Sequence, residues 1–406
     1  MNYKETVNWM FQQLPLYQLQ GATAYKADLT NTILLANHIG NPEKNLKCIH
    51  VAGTNGKGST SHLLAAVLQE AGYKVGLYTS PHLKDFRERV KINGIEISEE
   101  FVCEFIQKNK PFLEANQLSF FEMTVGLAFT YFVKEKVDIA IIEVGLGGRL
   151  DATNIITPLV SVITNIGFDH MQFLGTTLNA IAGEKAGIIK ATIPVVIGEY
   201  TSETKPVFEE KAKTANSKIF FASDLISETY PSILIGDYQI HNKKTVLQTL
   251  KVLEQQSNFK ISEDNIKNGF RNVIVTTGLQ GRWQQLGENP KIICDTAHNS
   301  HGLKIVLTQI QKDTFDKLHL VLGVVSDKDL NEILPLFPKN ATYYFCKPNI
   351  PRGLDAIILK EKASDFKLFG EIFPSVSNAY QTAKLNATAN DFIYIGGSTF
   401  VVAEIL

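Results

Sequence analysis

Residues 50–61 read HVAGTNGKGSTS, a glycine-rich run in which a lysine is followed by hydroxyls. Gly53, Gly56 and Gly58 let a backbone approach an anion closely, and Lys57 supplies a flexible cation. The common phosphate-binding loop has the pattern G-x-x-x-x-G-K-[ST]. Here Gly58 stands where the hydroxyl belongs, and Ser59 follows one residue later. Ser59 is therefore the side chain able to serve magnesium, with Thr54 and Asn55 filling out the loop. Ser80 in SPHL, Glu143 in EVGLGGRLDATN and His170, after Asp169 in FDHMQFLG, can complete a second metal position. Magnesium draws on one or two carboxylates plus substrate phosphates, so a sparse protein ligand set suits it. Taken singly, each feature has a plainer reading. The loop could be an ordinary strand-to-helix turn, Ser80 a turn hydroxyl, Glu143 half of a structural salt bridge and His170 a loop histidine. What favours chemistry is that all four follow apolar strand candidates at corresponding ends, where ligands of open parallel sheets gather.

Those strand candidates are NLKCIHVAG, KVGLYTS, VDIAIIEVG, PLVSVITNIG and IPVVIGE, continuous apolar runs of the kind buried on both faces of a parallel sheet. After the glycine loop, Leu63, Leu64, Val67, Leu68 and Ala71 fall on one helical face, and Gly72 is a C-terminal stop. From about residue 200 to 280 the pattern weakens: GDYQIHNKKTVLQTLKVLEQQ and SEDNIKNGFRNVI look helical, TTGLQGRWQQLGENPK like a connector. A second set of strand–turn–helix units then runs from KIICDTAHNS to DFIYIGGSTFVVAEIL. The expected fold is α/β: an N-terminal P-loop-type parallel-sheet ATPase domain over 1–280, and a smaller Rossmann-like C-terminal α/β domain over 281–406.

The chain has 406 residues, with 40 Lys+Arg against 41 Asp+Glu, which gives no basic footprint for a nucleic-acid partner. Cys48, Cys103, Cys294 and Cys346 are far apart and form no C-x-x-C pair, so free thiols are expected. The stretch MNYKETVNWMFQQLPLYQ does not read as a secretion signal, and 18 apolar residues never run together. A cytoplasmic protein without a membrane partner is the expectation.

In their order, HVAGTNGKGS, LYTSPHL, RVKINGIEIS, FEMTVGLAF, EVGLGGRLDATN, ITNIGFDHMQFLG and IAGEKAGIIK resemble the folylpolyglutamate synthases. These include the bifunctional dihydrofolate synthase/folylpolyglutamate synthases, all of the Mur ligase superfamily. The resemblance spans about residues 20 to 400, and it makes the shortened loop the form of P-loop typical of that superfamily. It implies ATP-dependent amide formation. A substrate carboxylate takes the γ-phosphoryl group of ATP, and the amine of L-glutamate attacks the resulting acyl phosphate. It further implies that Gly53, Thr54, Asn55, Gly56, Lys57, Gly58 and Ser59 hold ATP, with Ser59 on one magnesium and Ser80, Glu143 and His170 on a second. Lys57, Lys185 and His170 are the implied catalytic residues. Lys185 in GEKAG matches a lysine carried as a carbamate; without the family it would be taken for a solvated helix lysine.

By the same resemblance, Asn242, Arg282 and Asp295 contact ATP. Phe121, Glu122, Met123, Thr124, Leu150, Asp151 and Ala152 line the pterin of dihydropteroate or folate. His298 and Ser398 are weaker candidates for the glutamate side. Without the family, Asn242 and Arg282 read as a helix cap and a surface charge. The sequence departs from the family at Gln280 for proline in PGR, at Thr296 for glycine in DGAHN, and at Lys243 and Lys244 for small residues. A monomer is expected. Rival functions are a peptidoglycan-precursor ligase, a P-loop ATPase or kinase that forms no amide, and a binding module without turnover.

Overall fold

The computed structural model describes residues 1–13 and 28–406. Residues 14–27, which include the end of the N-terminal stretch screened for a secretion signal, lie outside the described residues. The chain divides into two units: Met1–Ile233 with Gln239–Leu279, and Leu234–Tyr238 with Gln280–Leu406.

The first unit is built on β1 (Cys48–Ala52), β2 (Val75–Tyr78), β3 (Val90–Ile92), β4 (Ile95–Glu96), β5 (Ile139–Glu143), β6 (Val160–Ile163), β7 (Val195–Ile197) and β8 (Ile219–Phe221). The sheet order is β4-β3-β2-β5-β1-β6-β7-β8. The pairs from β2 to β8 are parallel, and β3 and β4 add antiparallel strands at one edge. β1, β2, β5, β6 and β7 are buried along their whole length, since helices cover both faces. Cys48, Ala52, Ile142 and Ile163 pack on one face against residues of helices Glu99–Ala115, Phe120–Lys134, Leu178–Ala186 and Lys205–Thr214. On the other face helix Lys57–Glu70 lies over β1, β2 and β5, and helix Gln239–Gln256 over β6 and β7.

Helix Lys57–Glu70 is buried from Ser59 through Leu68, so the expectation of a single apolar face is too narrow. The cause is a second layer: helix Glu263–Thr277 lies on top of it, with Gly269 so close that a Cβ would stand 2.6 Å from the Val67 Cα. The helix stops at Gly72, whose φ of 87° needs glycine.

The second unit holds β9 (Gln284–Glu288), β10 (Lys291–Cys294), β11 (Leu318–Leu322), β12 (Thr342–Phe345), β13 (Gly370–Ile372) and β14 (Phe392–Gly396), in the order β13-β12-β11-β14-β10-β9. All pairs are parallel except β10 with β9. β9 lies inside the stretch expected to be a connector. It is a half-exposed edge strand, so it lacks the apolar run that marks the buried strands.

The division also departs from a single cut at residue 280. Leu234–Tyr238 belongs with the second unit because its groups are bonded there. Asp237 N donates to Gln309 Oε1 at 2.8 Å, Lys312 Nζ pairs with Asp237 at 2.5 Å and Tyr238 Oη donates to Asp295 Oδ2 at 2.7 Å. All four cysteines are free. Among the described residues, no helix is long and apolar enough to cross a membrane.

Candidate active site

The glycine loop leaves the end of β1 and is tied down by the segment that leaves β6. Thr54 N donates to the Asn165 carbonyl at 2.9 Å and Asn55 N to Asn165 Oδ1 at 2.9 Å. The Thr164 hydroxyl donates to the Asn55 carbonyl at 2.5 Å, and the Thr54 hydroxyl bridges to Gly167. The amides of Thr54 and Asn55 are therefore spent on Asn165, whereas the first-turn amides of helix Lys57–Glu70 have no partner within their own helix. Gly53 (φ 148°) and Gly56 (φ 81°) are required: a Cβ on Gly53 would stand 1.8 Å from Thr164 Oγ1, and one on Gly56 2.2 Å from Asn242 Oδ1. Lys57 Nζ donates to the carbonyls of Gly53 and Thr54 at 3.0 and 3.1 Å, curled over its own loop.

Neighbouring strand ends supply the rest. Glu143 closes β5 and is buried, with Oε2 3.4 Å from the Ser80 backbone N beyond β2. The buried Arg89 guanidinium also feels Glu143, and its Nε donates to His82 Nδ1 at 2.7 Å. Glu143 thus serves as counter-charge for Arg89 while reaching towards Ser80. His170 has φ 51° at the start of helix Met171–Leu174, its Nε2 3.7 Å from Asp169 Oδ2.

Lys185 departs most from its plain sequence reading. It is buried, and burial followed by the charge of Lys57 pulls its ammonium down to about 7; Asp169 and Asp151 pull the other way. The reason for burial lies in two glycines. A Cβ on Gly148 would stand 2.9 Å from the Lys185 carbonyl, and one on Gly187 2.3 Å from Arg149 Cβ, so the loop after Glu143 lies flat on helix Leu178–Ala186. Asp151 is locked in that loop, accepting from Leu146 N at 2.8 Å and from Thr153 N at 3.0 Å. The Thr153 hydroxyl donates to Asp151 at 2.5 Å and meets His50 Nε2 at 2.8 Å. Burial above all, with the nearby charges of Asp151 and Glu143, keeps the Tyr78 phenol protonated.

The expected pterin residues separate. Phe121 packs against Gly145, where a Cβ would meet its ring at 2.3 Å, and lies 6.2 Å from the Tyr78 ring. Glu122 caps its own helix by accepting from Ser119 N at 2.7 Å. Met123 is in the core, and the Thr124 hydroxyl donates back to the Phe120 carbonyl at 2.7 Å. Leu150 is half-buried beside the buried Asp151 and Ala152.

In the second unit, the buried Asp295 accepts from Tyr238 Oη, from Trp283 N at 2.6 Å and from Ala297 N at 2.8 Å. Arg282 bonds the hydroxyl of Thr296, so the departure from glycine there gives the arginine a partner. His298 Nδ1 lies 2.9 Å from the Thr296 carbonyl, and Ser398 caps helix Thr399–Ala403.

Thr164, Asn165, His82, Arg89 and Gln239 escape the sequence reading. Thr164 and Asn165 had a visible signal as polar residues directly after an apolar strand; Gln239 had none, lying in a helical stretch. Among the described residues no three His, Cys, Asp or Glu gather as a closed metal site. Ser59 for one magnesium ion, and Ser80, Glu143 and His170 for a second, are donor types of the kind that magnesium supplements with waters and phosphate oxygens.

The Mur ligase middle domain family matches residues 51–268, and the Mur ligase glutamate ligase domain family matches 281–399. The dihydrofolate synthase/folylpolyglutamate synthase of Bacillus subtilis is 32% identical, over 99% of this chain and 98% of its own length. The chain belongs to the folylpolyglutamate and dihydrofolate synthases of the Mur ligase superfamily. A member from Haloferax volcanii, a probable bifunctional folylpolyglutamate synthase/dihydropteroate synthase, is 33% identical over 100% of this chain, which spans 50% of that protein's length. The structure of E. coli FolC in complex with DHPP and ADP superposes with a TM-score of 0.87 at 28% identity, covering 100% of this chain and 97% of that one. The two-domain α/β architecture of these synthases is therefore the fold of this chain.

Proposed function

We propose that this chain is an ATP-dependent ligase that joins L-glutamate to the carboxylate of a folate, and to that of dihydropteroate, through an acyl phosphate. The observation that carries this reading is a buried Lys185 that feels the charges of Lys57, Asp169 and Asp151, in a chain whose P-loop hydroxyl is displaced by one residue.

A carboxylate is a poor electrophile until one of its oxygens becomes a good leaving group, and bringing it to a nucleotide sets two anions together. Lys57 and the first-turn amides of helix Lys57–Glu70 hold the phosphates and offset that repulsion. Lys57 must first leave the Gly53 and Thr54 carbonyls that it caps. Ser59 would hold one magnesium ion and Ser80, Glu143 and His170 a second; bound there, magnesium neutralises charge on the transferring phosphoryl group. Lys185, as its carbamate, would present anionic oxygens to the metal or orient the substrate acid. Phe121 and Leu150 are the pterin-facing residues of the first unit. Arg282 and Asp295 are the proposed nucleotide contacts of the second unit, and His298 its glutamate contact.

Mass spectrometry of the product after incubation with ATP, magnesium, L-glutamate and either dihydropteroate or a reduced folate monoglutamate tests the reading. A gain of one glutamyl residue, with release of one phosphate that requires both acceptor and glutamate, is expected. Phosphate release indifferent to glutamate would make the protein an ATPase, and no release at all a binding module. Near-normal incorporation by Lys57→Ala and His170→Ala would overturn the assignment of the site.

A further inference from the structure

Ser59 is held by a chain of buried amides. Asn242 Nδ2 donates to Gln239 Oε1 at 2.8 Å, and Gln239 Nε2 donates to Ser59 Oγ at 3.1 Å. All three residues are almost fully buried, with exposures of 4%, 1% and 1%. A serine hydroxyl has one proton and two lone pairs. With one lone pair taken by Gln239, the other remains for a cation and the proton for an anionic oxygen. The free rotor that serine has in water becomes a hydroxyl with a set direction. Asn242 sets the direction of the Gln239 amide in turn, and its own Oδ1 lies against Gly56, so the chain is anchored on the glycine loop.

We propose that Gln239 is a positioning residue for the metal ligand Ser59: its amide aims the hydroxyl at the magnesium that accompanies the nucleotide. The inference rests on the reading of Ser59 as that ligand. It also gives Asn242 an indirect role at the metal, besides the direct ATP contact expected of it. An ordinary buried glutamine would stabilise the helix start and leave metal affinity untouched, and this difference makes the proposal testable.

The test is a titration of manganese(II) by electron paramagnetic resonance, with the full chain and a non-hydrolysable ATP analogue. Gln239→Met keeps the side-chain length but donates nothing. Loss of a group that orients a metal ligand typically weakens binding 10–100-fold, so manganese affinity is expected to fall by about tenfold or more. Binding of the analogue in EDTA is expected to stay as in the parent. In a Ser59→Ala background, Gln239→Met is expected to add no further loss, since the residue acts through that hydroxyl. Equal manganese affinity in the parent and in Gln239→Met, or losses that add in the double variant, would overturn the proposal. If Gln239→Met does not fold, Gln239→Asn, which pulls the amide back by one methylene, carries the same expectations. A Ser59→Ala protein that binds manganese as well as the parent would instead remove the metal-ligand reading beneath the proposal. A parent that binds no manganese–nucleotide would remove the site as a whole.

Discussion

Replacing Lys185 by arginine isolates what its buried amine does. Burial and Lys57 bring its ammonium to about 7 from 10.5. At pH 7.5 roughly three-quarters of such side chains are neutral, against roughly one in a thousand for an ordinary lysine, an enrichment of several hundred-fold in nucleophilic amine. A neutral amine adds to carbon dioxide: the nitrogen lone pair forms the C–N bond, one proton passes to solvent, and an anionic carbamate results. The repulsion between Lys57 and the ammonium then becomes an attraction. Arginine keeps the positive charge and stays protonated, so it forms no carbamate. Loss of one preorganised electrostatic group in an active site costs about 10²–10³ in turnover, and Lys185→Arg is expected to lose at least about a hundredfold. The assay is glutamate incorporation, paired with carbon-13 NMR of protein equilibrated with labelled bicarbonate. A carbamate resonance is expected in the parent and not in Lys185→Arg, and activity should fall in buffer stripped of carbon dioxide and return with bicarbonate. A parent protein without the resonance, or Lys185→Arg within about threefold of parental turnover, would refute the reasoning.

Gly56→Ala places a methyl group 2.2 Å from Asn242 Oδ1 at a φ of 81°; the left-handed backbone alone costs ~1–2 kcal/mol, so ATP affinity read by calorimetry should drop about tenfold or more. Glu143→Gln should raise the magnesium concentration needed for half-maximal turnover and also lower thermal stability in calorimetry, because the buried Arg89 loses a counter-charge. Burial, followed by the charge of Lys190, lowers the His50 imidazole to about 3. The unfolded chain takes up that proton near pH 6.5 and the folded chain resists it, so this contribution is complete above pH 6.5 and is lost as pH falls towards 3. His50→Gln should accordingly unfold at a lower pH than the parent when followed by circular dichroism. Tyr238→Phe removes a donor from the buried Asp295, and urea unfolding should show a loss of about 1–3 kcal/mol.

The alternation of apolar runs with helical segments revealed the parallel core of both sheets, because strands buried on both faces must be apolar throughout. β4, β8, β9 and β13 are hidden for the converse reason: they are the sheet edges and bury little, so composition does not mark them. The placement of Lys57 and Ser59 just beyond β1, and of Glu143 at the end of β5, is legible from the apolar runs alone. That of Lys185 is not, since its burial comes from Gly148 and Gly187, far from it in sequence or outside any side-chain pattern. The capping role of Glu122 is legible in the spacing of SFFE, a serine three residues ahead of a glutamate. Gln239 required the packing of one helix beside another before its partner was visible.

The five residues Leu234–Tyr238 carry a consequence for protein engineering. A C-terminal fragment started at Gln280 would strip the phenol from Asp295 and the carboxylate from Lys312, leaving a buried acid short of one donor. Chimaeras that exchange this half between relatives should therefore carry the short upstream strap with it, because a single junction at 280 cuts its bonds to Gln309, Lys312 and Asp295.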